Sequence, residues 1–507
     1  MPSVYLKKIV KGTGIIFAGS LITILLGFPS KILVVRSLSL ADYGIYSLAL
    51  VVLGIFTILP MLGLSEGITR QLAYYKDSKQ KIGEIISFSL IIILISGIIS
   101  SILLYVLSDT ISVMIFKNPS LSEPLKIFSL VIPFALITNI IIFIFRGFGK
   151  VEVKVYFQDI LYKVFFITFV VVVFVKGLSF RGILYSVAAS YIITTLVLIF
   201  YSSDILRVSI NKKVFYTGIE LLKFSLPLLL VGMLGMVISG TDTLMLGYFR
   251  TPQEVGQYNV ARSLANLIPM FIGSAAYIYL PVASQLYSEK GPKELARTYQ
   301  IMTKWLFSGT FPIFLILLVF PSIVISTLFG SSYISASIAL QILAISLMFH
   351  VMNGLNGLSL IVIGKTKIIS IITFFSMVLN VILNFALIPQ FGIVGASIAS
   401  FFSVVFANLF SSLILYQLSR IHPFTKNYLK PIGISLLFLG LIYLITRVIV
   451  VKLWMLPIFL AGYLAGYVIL LLVTRSFDRE DIDMMLAIEK RAGINLSPIK
   501  KLIKRFI

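Results

Sequence analysis

The chain has 507 residues, of which 59% are hydrophobic and only 12% charged, where a soluble protein carries about 25% charged residues. Its formal net charge is +23, cysteine is absent, and there are just two histidines, His350 and His422. These numbers exclude a soluble domain, a disulfide framework, a thiolate or zinc cluster and a redox switch. No cofactor and no metal site is expected.

Each membrane crossing needs roughly 20 apolar residues, so the sequence predicts an all-α polytopic membrane protein with about fourteen transmembrane helices. The first begins near Thr13 and places Ser20, Thr23, Gly27 and Lys31 on one face. It has no small-residue cleavage site and continues into Lys31 and Arg36, so it reads as an anchor rather than a removable leader. The second starts near Tyr43 and closes on Glu66, Gly67 and Arg70. The third starts near Ile82. The fourth, from Leu125, carries Asn139 and Arg146 two turns apart. The fifth, from Phe157, has Asp159 and Lys163 at i,i+4, where an α-helix would pair them. The sixth starts near Gly182.

The seventh helix, from Leu221, has Pro227 near its inner end, then Gly232, Gly235, Ser239 and Asp242. In the eighth, from Val255, Asn259, Arg262, Ser263, Asn266, Met270, Gly273, Ser274 and Tyr277 advance by three or four. On one continuous helix they would form a single polar stripe facing a water-filled cavity. The ninth starts near Tyr299 and carries Lys304. The tenth, from Ala336, has Ser346, His350, Asn353 and Gly357; the eleventh, from Ile368, has Thr373, Ser376, Asn380 and Asn384. The twelfth, thirteenth and fourteenth start near Val394, Pro431 and Met455. Gly232, Gly235 and Gly357 read as close-packing positions, and His350 reads as a satisfied interior residue. Beyond the last span, Asp478 to Asp481 opens an amphipathic helix with Ile482, Met485, Leu486 and Glu489 at helical spacing. Lys500, Lys501, Lys504 and Arg505 would lie against anionic headgroups of membrane lipids.

One module occurs twice. Asp42-Tyr43-Gly44-Ile45-Tyr46 returns as Glu254-Val255-Gly256-Gln257-Tyr258, Gly149-Lys150 as Gly364-Lys365, and Gly182-Ile183 as Gly392-Ile393. Each echo lies roughly 210 positions downstream, so two units of about 200 residues share one plan. A duplicated bundle is the usual architecture of a transporter whose halves rock about a central site. The expected division is residues 1–205, a lobe of six helices; 206–425, a second lobe of six; 426–475, two added helices; and 476–507, the tail.

The positive charge lies mostly on one side. Lys7, Lys8 and Lys11, Arg70, Lys79 and Lys81, Arg146, Lys150 and Lys154, Lys212 and Lys213, and the tail share the even-numbered connections. That side is expected to be cytoplasmic, which puts both termini inside a cytoplasmic membrane. The basicity is therefore a topology signal, and no nucleic-acid partner is expected. Gly364-Lys365-Thr366 resembles the end of a phosphate loop, but position 359 is Ser and no strand precedes it, so no nucleotide site is expected. Energy would then come from an ion gradient (proton or sodium), the membrane potential or the cargo's own gradient.

Charges at membrane depth are costly, at about 2.5–3.5 kcal/mol for a central Arg or Lys. Here the cations Lys31, Lys163, Arg262 and Lys304 outnumber Glu66, Asp159 and Asp242, with Lys163 a candidate partner for Asp159 and Asp242 for Arg262. A cation-rich cavity calls for an anionic cargo, and phosphate suits Arg through bidentate bonding. The chain carries Arg36-Ser37-Leu38 running into Tyr43-Gly44-Ile45-Tyr46, Glu66-Gly67 with Arg70, Leu226-Pro227 through Asp242, and Gly256-Gln257-Tyr258 with Ala261. On these segments it resembles the multidrug/oligosaccharidyl-lipid/polysaccharide exporter superfamily, in its polysaccharide (O-antigen type) flippase branch.

The resemblance implies two six-helix lobes in a V, related by a pseudo-twofold axis, and alternating access. It also implies a lipid-linked oligosaccharide cargo, turned from the inner to the outer leaflet, and no enzymatic reaction. Lipid II flippases of the superfamily carry an Arg-Asp pair in the first span; Phe28-Pro29-Ser30-Lys31 stands here and lacks the acid. The candidate cargo site in the central cavity is Lys31, Arg262, Asn259, Asn266, Asn353 and Asn380. Arg36, Arg146, Glu66 and Arg70 are candidates for gating or staging the headgroup, and Asp242 and His350 for charge pairing or coupling. Two rival readings are an ion-coupled antiporter of small organic molecules and a membrane glycan polymerase or ligase. The latter would need a sizeable outer loop that the sequence does not contain.

Overall fold

The computed structural model describes residues 19, 22–23, 25–75, 77–177, 180–206 and 212–424, with short stretches at 432–437, 440, 444, 462, 465–467, 469–470 and 486. Every assigned element among them is helical. The chain packs into two compact units, Ile15–Gly256 and one containing Gln257–Ile507. The first unit holds α1 (25–37), α2 (Leu40–Ile58), α3 (Leu64–Tyr74), α4 (Lys79–Thr110), α5 (Ser122–Ser129), α6 (Val131–Gly147), α7 (Glu152–Val175), α8 (Phe180–Tyr201) and α9 (Lys212–Phe249). Within it α4 packs on α6 and α9, α6 on α3 and α8, and α7 on α8; α9 also covers α2 and α3. The packing boundary after Gly256 and the repeat boundary expected at 205–206 are thus different places, because α9 spends its apolar surface on the first unit.

Helix α2 begins where the sequence provides a cap: the Ser39 hydroxyl accepts from the Asp42 amide at 3.1 Å and donates to its carboxylate at 2.7 Å. One turn on, Gly44 meets the start of α10 (Pro252–Ala265). A Cβ on Gly44 would stand 1.8 Å from the Pro252 carbonyl oxygen, and one on Gly256 2.6 Å from that of Leu40. The repeated glycine therefore lets two helix starts touch backbone to backbone, a contact any side chain would prevent.

The second unit continues with α11 (Met270–Lys290), α12 (Pro292–Val319), α13 (Ser337–Asn353), α14 (Asn356–Val362) and α15 (Thr366–Ser419). Here α13 packs on α12 and α15, α11 on α12, and α14 on α15. Residues 366–419 form two expected spans joined at a kink, where Gly392 takes φ 55° three residues after Pro389. Among the described residues, seven helical stretches are long and apolar enough to cross a membrane, or eight if the pair Pro119–Ser129 and Val131–Gly147, bent by 46°, is one span. Large side chains on α4 such as Ile99, Ile102 and Val106 are 59%, 59% and 65% exposed. In water such a face would be a liability; against lipid it is the expected outer surface.

Three expectations need correcting or bounding. The eighth span is not one helix: α10 ends at Ala265, and Leu267 and Ile268 bond three residues back, to Leu264 and Ala265, at 3.0 and 2.9 Å. Pro269, without an N–H, cannot restore the α ladder. The polar stripe is therefore broken at Asn266, and Met270 and Gly273 lie on a separate helix. A Cβ at Gly232 would touch Ile58 at 3.9 Å, but Gly235 and Gly357 would meet no described atom within 4 Å, so close packing does not explain those two glycines. The thirteenth and fourteenth spans, the tail helix and Ser20 lie outside the described residues, apart from the short stretches named above.

Candidate functional site

The first unit contains a charged cavity of about 350 Å³, bounded by α6, α7 and α8. Its geometry starts from the backbone of α7, which widens into a π-turn over Val155–Leu161. A π-turn stacks residues five apart, so Asp159 lies over Lys154, with Oδ2 4.0 Å from Nζ. Lys163, four residues on, keeps an electrostatic interaction with Asp159, as its i,i+4 spacing led one to expect, but stays outside ion-pair distance. Among the described residues, Lys163 has no carboxylate within 4.0 Å, and its ammonium lies 5.7 Å from the centre of the Tyr162 ring. Just before α1 the Thr23 hydroxyl approaches Asp159, and on α1 a Cβ on Gly27 would come 4.0 Å from the Lys163 nitrogen. Two residues of the polar face expected on the first span, Thr23 and Gly27, thus stand beside the charged pair of this cavity. Asn139 of α6 accepts from Gln158 at 3.5 Å, and Thr194 of α8, 2% exposed, belongs to the same lining and has a hydroxyl without a hydrogen-bond partner.

The ends of helices in the basic connections hold a second cluster. Arg146 donates to Glu66 at 3.0 Å, joining two of the candidate gating residues. Both are exposed, at 47% and 58%. Arg70 stacks over Phe224 at 4.4 Å, and Arg36 is exposed. Sequence reasoning missed Glu84, 5% exposed near the start of α4. It accepts from Thr217 at 2.6 Å and Gln80 at 2.9 Å, with Lys81 3.7 Å away. The available signal was an acid in the second turn of α4, followed directly by a long apolar run.

The second unit buries Lys304 on α12, 5% exposed, and a network of uncharged polar groups. His350 Nδ1 meets Asn408 Oδ1 at 2.9 Å. Asn356 donates to the Asn408 carbonyl and to Ser412, each at 3.0 Å, and accepts from the Gly357 amide at 2.6 Å. Ser412 donates to Asn353 at 2.8 Å, and Tyr299 donates to the Asn353 carbonyl. On α15 Asn384 donates to Asn380 at 3.0 Å. The structure therefore links His350 and Asn353 through one network, by way of Asn408, Asn356 and Ser412, and places Asn380 in another pair. Neither Asn356 nor Asn408 was among the residues singled out beforehand.

Of the remaining candidates, Lys31 is half-buried on α1, and Asn259 and Arg262 are half-buried on α10. Asn266 is exposed in the break after α10, and Asp242, on α9, is 2% exposed. No group of three or more His, Cys, Asp or Glu suited to a metal ion occurs among the described residues.

Comparison with known proteins places this arrangement. A family described as "Polysaccharide biosynthesis protein" matches residues 9–287, and the MatE family matches 227–386. An uncharacterized membrane protein of Methanocaldococcus jannaschii is 31% identical over 211 residues, 41% of each chain. A Haloferax volcanii protein named a probable low-salt glycan biosynthesis flippase is 27% identical over 51% of this chain and 56% of its own. The chain thus spans about half the length of these curated relatives. A Shigella flexneri protein named for O-antigen transport is 21% identical over 75% of this chain and 91% of its own. In fold, the chain resembles a lipid II flippase in an inward closed conformation, with TM-score 0.69 at 17% identity, covering 90% of this chain and 98% of that one. It also resembles an inward-facing multidrug resistance transporter, with TM-score 0.65 at 17% identity, covering 78% and 96%. With more than half of its length matched to the family, this chain belongs to the polysaccharide biosynthesis proteins.

Proposed function

We propose that the protein is a flippase that turns a polyprenyl-phosphate-linked oligosaccharide from the inner to the outer leaflet of the cytoplasmic membrane. The observation that carries this reading is the family match over residues 9–287, joined by relatives named for glycan flipping and O-antigen transport. Lys31 and Arg262 attract the phosphate and sugar head, Asn259, Asn266, Asn353 and Asn380 hydrogen-bond sugar hydroxyls, and the lipid tail stays in the bilayer. Two lobes alternate access about the cargo, and both termini face the cytoplasm. The exposed Glu66–Arg146 pair suits a contact that breaks and re-forms at the inner end, because exposed pairs cost little to open. Arg36 and Arg70 stage the headgroup near the same surface. A proton or sodium gradient, with Asp242 and His350 as the groups that sense it, supplies the direction.

Arg262 tests the reading in cells. Arg262→Ala should abolish export of surface glycan while Arg262→Lys retains part of it; undiminished export by the Ala variant removes Arg262 from the mechanism. A second reading, an ion-coupled antiporter of small organic molecules, is favoured by the MatE match at residues 227–386. A drug-susceptibility panel in a pump-deficient host separates the two, since only the antiporter would protect the cells.

A further inference from the structure

The charged cavity of the first unit sets two ammonium groups against one carboxylate in its lining. Lys154 and Lys163 face it with a single carboxylate, Asp159, and that carboxylate is already paired with Lys154. Lys163 is left half-buried at membrane depth with no carboxylate within 4.0 Å among the described residues. An ammonium held there, with its nearest acid shared and beyond ion-pair distance, is expensive. Thr194, a residue of the same lining, adds a buried hydroxyl with no hydrogen-bond partner. The other polar lining from α6 and α7, Asn139 and Gln158, is neutral and joined only by a long contact of 3.5 Å. At 350 Å³ the cavity has room for a polyatomic ion with water around it, and the π-turn that shapes it is a feature common at functional sites.

We propose that this cavity binds a phosphate-type oxyanion, held by the Lys163 ammonium and the Thr194 hydroxyl, with Lys154 kept beside Asp159. Charge-assisted bonds from an ammonium and a hydroxyl are what a tetrahedral oxyanion accepts. The anion is either free phosphate or the phosphate of a lipid headgroup. Binding is read without reference to flipping, so the proposal stands or fails apart from the transport reading.

The test uses the full chain in a phosphate-free sugar detergent, with thermal unfolding measured against inorganic phosphate and, separately, against dihexanoyl phosphatidic acid. Sodium chloride at equal ionic strength is the reference. Phosphate or the short lipid should raise Tm in a saturable way beyond sodium chloride. Response to the inorganic ion assigns a free anion; response to the lipid alone assigns a headgroup. Lys163→Gln should weaken the apparent affinity by about tenfold or more, the loss expected for one charged hydrogen bond. Lys163→Arg should retain it, Thr194→Val should weaken it severalfold, and Lys176→Gln, outside the cavity, should leave it unchanged. No stabilisation beyond sodium chloride by either anion overturns the proposal, as does equal binding by the native protein and the Lys163→Gln variant. Since Lys163→Arg keeps the charge and Thr194→Val keeps the shape, a folding defect in one variant leaves the others to decide.

Discussion

In the first unit, Lys154, Asp159 and Lys163 stand around an open volume of 350 Å³; in the second, the side chains around Asn356 are amides, hydroxyls and an imidazole bonded to one another. The difference follows from what burial costs each kind of group. Amides, hydroxyls and a neutral imidazole can leave water cheaply when every donor finds an acceptor. An ammonium or carboxylate cannot, and keeps either a counter-charge or hydration. The charged cavity is therefore suited to take something in, and the hydrogen bonds around Asn356 to hold α13, α14 and α15 together.

The comparison can be broken at graded points. The largest effect should come where backbone meets backbone: Gly44→Val places carbon against the Pro252 carbonyl and should cost about 3 kcal/mol or more. Folded yield and unfolding in mixed micelles would read it. Next is Asn356→Leu in the second unit, which removes bonds to Asn408, Ser412 and Gly357 together. A loss of about 2–3 kcal/mol is expected from the partners left unsatisfied, and a Tm within a degree of native would show that the network carries no stability. His350→Leu strands only the Asn408 side-chain oxygen, so about 1 kcal/mol should be lost. Asp159→Asn in the wet cavity should cost less than either network variant, because Lys154 is 50% exposed and can hydrate. The smallest is the Glu66–Arg146 pair, whose double-mutant cycle should give a coupling below about 1 kcal/mol. If cavity variants destabilise more than network variants, the contrast between the units is wrong.

Much of this was legible before any coordinates. Apolar length announced the spans, and the repeated Asp/Glu-x-Gly motif pointed to two positions that the structure brings into backbone contact. The face of Thr23 and Gly27 on the first span was readable from spacing, and both residues stand beside the charged pair of the cavity. What failed did so where the backbone leaves the regular α-helix. The stripe from Asn259 to Tyr277 assumed an unbroken ladder, but Pro269 ends it. The Asp159–Lys163 pairing assumed a turn of 3.6 residues, whereas the π-turn over Val155–Leu161 brings Lys154 to ion-pair distance of the acid and leaves Lys163 a longer electrostatic interaction with it. Asn408 and Glu84 went unremarked because their partners come from distant segments, α13 for Asn408 and α9 for Glu84, which periodicity along one helix cannot reveal.

The central claim, that this protein carries a phosphate-linked glycan across the bilayer, is tested most directly in liposomes. Purified protein would be reconstituted with a fluorescent polyprenyl-phosphate-linked oligosaccharide, and loss of inner-leaflet label followed with a membrane-impermeant quencher. Transfer well above protein-free liposomes, and absent with Arg262→Ala, is the predicted result. Transfer no faster than in protein-free liposomes, from protein shown to be folded, would contradict the claim.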